Sequence, residues 1–171
     1  LDEGKPAKVY HSHPEEENFI KQLGLLTRKP VLLLGNVSED HIMSGEESQV
    51  VRDFEQFAME SGNLFLKLSA NLELELSELP PDERKMFMNE LDISETGLNK
   101  LVKAGYNLLN LITFFTIESD ICQAWTVPHN TTVDKAAGVI HSDFEEKFIR
   151  AEVRHWQDFE KVRSEKLLRE G

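Results

Sequence analysis

The amino-acid sequence predicts an α/β part built on a parallel sheet, followed by a smaller α+β part. Three observations carry this. Two short strand-like runs, the continuous apolar 31–34 and the mostly apolar 64–68, bracket a stretch of helical periodicity, which is the order of a βαβ unit and implies parallel strands with a right-handed crossover. Near Leu111 the texture changes to two strand-like runs separated by the turn-prone Glu118-Ser119-Asp120. A chain of 171 residues with 40% apolar and 29% charged residues has material for one core or two small ones.

The elements follow in order. The first ten residues are polar and aperiodic, which predicts loop. Ser12-His13-Pro14-Glu15 matches a capping box, and Glu15, Glu16 and Glu17 favour the positive end of a helix dipole, so a helix is expected over 14–26. His11 and His13 form an H-x-H pair, but two imidazoles without a third ligand do not make a metal site, and the pair reads as a solvated helix start. After Lys29-Pro30, the run Val31-Leu32-Leu33-Leu34 predicts a strand buried on both faces. Residues 35–40 read as a polar loop. Residues 48–61 carry Val50, Val51, Phe54, Phe57 and Ala58 at helical spacing, a stripe that should pack on the sheet.

Gly62-Asn63 ends that helix, and 64–68 forms the second inner strand, closing on Ser69-Ala70-Asn71. Helices are then expected over 72–79, over 82–91 after the Pro80-Pro81 break, and over 94–109, the last with Leu98, Leu101, Val102 and Leu108 on one side. Beyond Leu111, residues 112–117 and 122–127 predict a hairpin, 131–139 a helix, 147–153 a third strand, and Trp156 onward a return to helix. Ser142 or Asp143 is the expected cap of a helix entering Phe144, which accounts for His141-Ser142-Asp143 better than a catalytic triad does: sequence neighbours do not converge as nucleophile, base and orienter must.

Composition limits the function. The formal charge is −12, with 20 acids against 11 bases in residues 1–109 and 11 against 8 in 110–171. An acidic surface lacks the Lys and Arg that displace counterions from phosphates, so no strong nucleic-acid signature is present and any RNA contact must be local. Lys147, Arg150 and Arg154 offer at most a small basic edge, read as a solvated face. No apolar run reaches the roughly 20 residues of a membrane span, and the start has no signal-peptide pattern, which reads as cytoplasmic with no membrane partner. The single cysteine, Cys122, falls in an expected strand and reads as a reduced core thiol. Among the aromatics, Phe114, Phe144 and Phe148 read as core. The start at Leu1 and the charged, helix-like end read as a segment of something longer.

In an open parallel sheet, ligands bind beyond the carboxyl ends of the strands, which points to the loops after Leu34 and Leu68. Asn36 carries an amide that can donate and accept at once, as reading a purine edge requires, and Ser69-Ala70 offers backbone N–H groups and a hydroxyl beside it. Taken alone, an Asn after a strand is also a common turn former.

Two sets of residues carry a family resemblance. Asn36-Val37-Ser38-Glu39 followed by Ser69-Ala70-Asn71 resembles the N-K-x-D and S-A-K/L pair of P-loop GTPases, with Val37 in place of Lys and Glu39 in place of the guanine-reading Asp. Phe114-Phe115-Thr116, Ala124-Trp125-Thr126, the run from Ala136 to Glu145 and Phe148-Ile149-Arg150-Ala151-Glu152-Val153 resemble the TGS domain, a ubiquitin-like β-grasp module. Together they resemble the YchF-type (Obg-like) P-loop ATPases and GTPases over nearly the whole chain.

The resemblance implies a division into the end of a helical insertion (1–26), the C-terminal half of a nucleotide-binding G domain (27–109) and an incomplete TGS domain (110–171). It also implies a base site of Asn36, Val37, Glu39, Ser69 and Ala70, ATP preferred over GTP, and a ribosome or ribosomal subunit as partner. Guanine presents N1–H and a 2-amino group to a carboxylate while adenine presents neither, so a longer Glu39 that can turn to solvent fits an adenine-using branch. The phosphate-binding G-x-x-x-x-G-K-[ST] motif does not occur in this sequence, so catalytic residues and Mg²⁺ ligands are not expected here and this polypeptide should be inactive alone. The alternative is a non-catalytic module whose TGS-like part docks a ribosomal or other protein surface.

Overall fold

Parallel pairing of two short strands organises the first part of the chain. The computed structural model describes residues 4–10, 13–45, 48–118 and 121–162, and it divides into two compact units, Leu1–Leu109 and Asn110–Gly171. In the first, β1 (Leu32–Asn36) pairs in parallel with β2 (Leu64–Leu68), Leu32 opposite Leu64 and Asn36 opposite Leu68. The mixed α/β class expected from the strand order is what the chain adopts.

The helix before β1, α1 (Pro14–Gln22), is shorter than the 14–26 expected. Gly24 takes a left-handed φ of 60°, which unwinds the chain ahead of a 3₁₀ turn at Leu26–Arg28. Ser12 and His11 lie outside the described residues. The cap is His13, whose backbone N–H donates to Glu16 Oε2 at 3.3 Å, so Glu16 rather than Glu15 closes the box.

Residues 39–44, expected as loop, form a short helix, α2 (Glu39–Ser44), with Ser38 at its N-cap and Gly45 in the left-handed region after it. Six residues hold too little apolar periodicity to announce a helix, although both end signals are in the sequence. Helix α3 (Gln49–Glu60) starts at Ser48, whose hydroxyl accepts the Val51 N–H at 3.4 Å. Its apolar stripe meets the sheet unevenly. Ala58 is fully buried and Phe54 packs edge-on against Phe65 of β2, ring centroids 5.7 Å apart, but Val50 on the outer side stays exposed. Gly35 of β1 belongs to the same contact: a Cβ there would lie 2.9 Å from the Phe65 ring.

Helices α4 (Ala70–Glu78), α5 (Pro81–Glu90) and α6 (Gly97–Leu108) complete the unit. Leu68, Leu72 and Leu76 are buried and form its core with Ala58. Two expectations change here. Leu34 is 42% exposed, so β1 is not buried on both faces; the covering helices α3 and α6 lean mainly on β2. On α6, Leu101, Ala104 and Leu108 share the half-buried line while Leu98 and Val102 face outward, because a 100° step per residue separates the two lines.

The second unit begins with an antiparallel hairpin, β3 (Leu111–Glu118) and β4 (Ile121–Pro128), one residue longer at each end than expected. His129 N–H donates to Asn110 O at 2.7 Å and closes the hairpin base. Val127 is buried, and Trp125 sits half-buried with its Nε1–H donating to Thr116 Oγ1 at 2.9 Å. Cys122 is on β4 but exposed, so it is not a core thiol.

Helix α7 (Val133–Ile140) packs against β4, and α8 (Ser142–Glu146) packs on α7. At the start of α7 the Thr132 hydroxyl, and after it the Lys135 N–H, hold the Asp134 carboxyl below its ordinary value. Gly138 is needed for the α7–α8 approach: a Cβ there would collide with Glu145 Oε2 and lie 2.9 Å from Glu145 Cβ. The α8 cap is His141, whose Nδ1 accepts the Asp143 N–H at 3.2 Å, rather than Ser142 or Asp143. Phe114 and Phe148 are half-buried, whereas Phe144 is exposed.

The third strand expected over 147–153 does not form. After α8 the backbone is irregular as far as α9 (Trp156–Val162), and Ile149 is 90% exposed. A strand needs a neighbour to complete its hydrogen bonds, and among the described residues the sheet of this unit consists of β3 and β4, with 147–153 joined to neither edge.

Candidate functional site

The carboxyl ends of β1 and β2 bring two loops together. Val37 N–H donates to Leu68 O at 2.9 Å, carrying the parallel ladder one residue past the end of β1. The Asn36 side-chain oxygen then accepts the Ala70 N–H at 3.0 Å across the same gap. Ser69 is buried, and its hydroxyl caps α4 by accepting the Leu72 N–H at 3.4 Å.

Four of the five residues singled out from sequence, Asn36, Val37, Ser69 and Ala70, therefore form one connected edge. Glu39 is placed differently. It is the first residue of α2, half-buried, rather than part of an open loop. Ser38, between them, reaches His41 Nδ1 at 2.6 Å.

The geometry states what this edge can offer a ligand. With its oxygen engaged by Ala70, the Asn36 amide has its N–H groups left as donors, while the Val37 N–H is spent on Leu68 O and leaves that residue only its carbonyl to offer. A donor and an acceptor are the two kinds of group that a heteroaromatic edge needs. Asn36 and Ala70 are exposed, so the edge opens to solvent.

Sequence reasoning did not find Glu73, three residues past Ala70. Its carboxylate accepts the Gly97 N–H at 2.6 Å through Oε1 and the Leu98 N–H at 3.0 Å through Oε2, which are the first N–H groups of α6. A Glu on a helix carries no mark of a partner 24 residues away. The only sequence signal available was Thr96-Gly97, a helix start whose donors need an acceptor.

Elsewhere the polar groups pair locally. Lys147 meets Asp143 at 3.1 Å and Arg154 meets Glu152 at 3.4 Å, so two of the three cations of the small basic edge have carboxylates beside them. Among the described residues no group of three or more His, Cys, Asp or Glu could hold a metal ion, and no helix is long and apolar enough to cross a membrane. His11 of the H-x-H pair lies outside the described residues.

Comparison with known proteins bears on the chain as a whole. Residues 111–171 match the YchF-GTPase_C family, described as a protein of unknown function (DUF933). The ribosome-binding ATPase YchF of Bacillus subtilis (strain 168) is 40% identical over 154 residues, 90% of this chain and 42% of that protein. The chain is a YchF-type segment. The YchF relative from Escherichia coli O157:H7, also named a ribosome-binding ATPase, is 39% identical over 157 residues, 92% of this chain and 42% of that protein. The structure of the Schizosaccharomyces pombe YchF GTPase matches with a TM-score of 0.82 at 30% identity, over 99% of this chain and 45% of that one. The chain thus spans less than half the length of the YchF proteins it matches.

Proposed function

We propose that this segment carries the purine-recognition edge of a nucleoside triphosphate hydrolase that prefers ATP to GTP, and that the whole protein acts on the ribosome. The observation that carries the reading is the Asn36–Ala70 bond, which takes up the amide oxygen and leaves the amide N–H groups as the donors Asn36 has to offer a base. Adenine offers N7 as an acceptor for such a donor, and its 6-amino group as a donor for a backbone carbonyl such as that of Val37. Glu39 opens α2, and its side chain, one methylene longer than that of Asp, is the basis for reading no fixed acceptor for guanine N1–H and its 2-amino group.

On this reading residues 27–109 are the base-binding half of a G domain, 1–26 end a helical insertion, and 110–171 belong to a TGS module. The phosphate end of the nucleotide and its Mg²⁺ would be held by a G-x-x-x-x-G-K-[ST] segment outside this sequence. The names of the bacterial relatives support the ribosome as partner. A second reading, a docking module without catalysis, draws on the exposed apolar side chains of the second unit, Phe115 and Trp156 among them.

Calorimetric titration of ATP and GTP into the full-length protein tests the proposal. Asn36→Ala is expected to weaken ATP binding about tenfold, the loss of one well-placed polar contact to the base. Unchanged ATP affinity in that variant rejects this edge as the base site, and tighter binding of GTP than ATP by the unaltered protein rejects the stated preference.

A further inference from the structure

The clamp between Glu73 and the start of α6 is tied at every point to the edge described above. Along the chain, the Glu73 N–H donates to Ser69 O at 3.0 Å, which is the first backbone bond of α4. Across space, both carboxylate oxygens are taken by Gly97 and Leu98 N–H groups. These are uncompensated donors at the positive end of a 12-residue helix, so the bonds are charge-assisted and favoured by the dipole.

Gly97 is what permits the approach. A Cβ at that position would lie 2.8 Å from Glu73 Oε1 and 2.8 Å from Leu68 Cβ. Leu68 is the residue whose carbonyl holds Val37, and Ala70 is the residue whose N–H holds Asn36. The start of α6 therefore lies close against Leu68 of the Leu68-Ser69-Ala70 corner, and Glu73, in the turn that follows, is bonded to the same helix start.

We propose that Glu73 is a positioning residue for the base edge: by fixing the first turn of α4 against α6 it sets where the Ala70 N–H lies, and through it the orientation of the Asn36 amide. This rests on the reading of Asn36 as the base contact. A cap serving α6 alone could come from any neighbouring acceptor, and Thr96 already supplies one by accepting the Asn99 N–H at 3.2 Å. Glu73 differs in springing from the same turn as the binding corner. Loss of its carboxylate frees that turn to shift, and an amide held by a single bond to it turns with it.

The test has two arms, using Glu73→Ala and the conservative Glu73→Gln, which keeps the length and one acceptor oxygen. In amide hydrogen exchange on the chain, Glu73→Ala is expected to speed exchange at Ala70 and Val37 about tenfold while the other β1–β2 amides hold, with Glu73→Gln between it and the unaltered chain. An equal increase at all amides, or none at Ala70, overturns the proposal in favour of a purely structural cap. Should Glu73→Ala fail to fold, Glu73→Gln carries the same comparison. In the second arm, ATP binding to full-length Glu73→Gln is compared with Asn36→Ala. A loss of about fivefold on Glu73→Gln, with the ATP to GTP ratio moving the same way as in Asn36→Ala, is the expected result. If Asn36→Ala weakens ATP binding and Glu73→Gln does not, this proposal fails while the base site stands. If Asn36→Ala has no effect, the base-site reading itself has failed.

Discussion

Leu76 and Val50 are both aliphatic residues on helices of the first unit, and they differ in what surrounds them. Leu76 on α4 is 2% exposed, whereas Val50 on α3 is 76% exposed. Removing three carbons, Cγ and its two methyls, from a filled site costs the transfer energy of those atoms and leaves a cavity the neighbours only partly close. Leu76→Ala should destabilise the chain by about 2–5 kcal/mol. Val50→Ala should stay within about 0.5 kcal/mol, since the side chain is already in water and Ala is the better helix former. Urea denaturation followed by circular dichroism separates the two; comparable shifts in midpoint would mean that α4 does not pack as described. Burial of this kind is hard to read from sequence: both residues sit in apolar patterns, and only the direction each helix faces tells them apart.

At the scale of elements, the cap of α3 makes a defined contribution. Ser48 Oγ accepts the Val51 N–H at 3.4 Å, a long bond, so Ser48→Ala should cost about 0.5–1 kcal/mol, the lower half of the usual range, and Ser48→Asp should restore it. A thermal melt in which both variants match the unaltered chain would show that the cap is idle. Capping residues and glycines are local signals, and elements marked by them were legible: both parallel strands, α3 and the hairpin lie within a residue or two of their expected limits. The convergence of the loops after β1 and β2 was legible too, because a βαβ unit brings the carboxyl ends of its strands together, whereas Val37 and Glu39 rest on the family resemblance alone. What the sequence hid depends on partners distant along the chain. Residues 147–153, expected as a third strand, form none, since pairing rather than local sequence makes a sheet. Glu73 looks like any helical carboxylate until Gly97 and Leu98 are brought to it.

At the scale of the whole molecule, the two units differ in how much apolar surface they bury. The first places Ala58, Leu68, Leu72 and Leu76 out of solvent. In the second, Val127 is the buried apolar residue among those described, while Phe115, Ile121, Phe144, Ile149, Val153 and Trp156 are each more than half exposed. A unit of this size is marginal even when well filled, because about 60% of the unfolded surface is the most a small domain removes from water, and ordering each residue costs about 1–2 kcal/mol of backbone entropy. The hairpin contributes one ladder and a Trp125–Thr116 bond, and α7 covers only part of one face. Produced alone, residues 110–171 should therefore unfold in a broad, low-temperature transition with little calorimetric enthalpy, whereas 1–109 should retain a cooperative one. Scanning calorimetry of the two pieces beside the whole chain decides the matter. A sharp two-state transition from 110–171 would mean that its exposed apolar residues are not a deficit of core, and that a small number of well-placed contacts suffices to hold the unit.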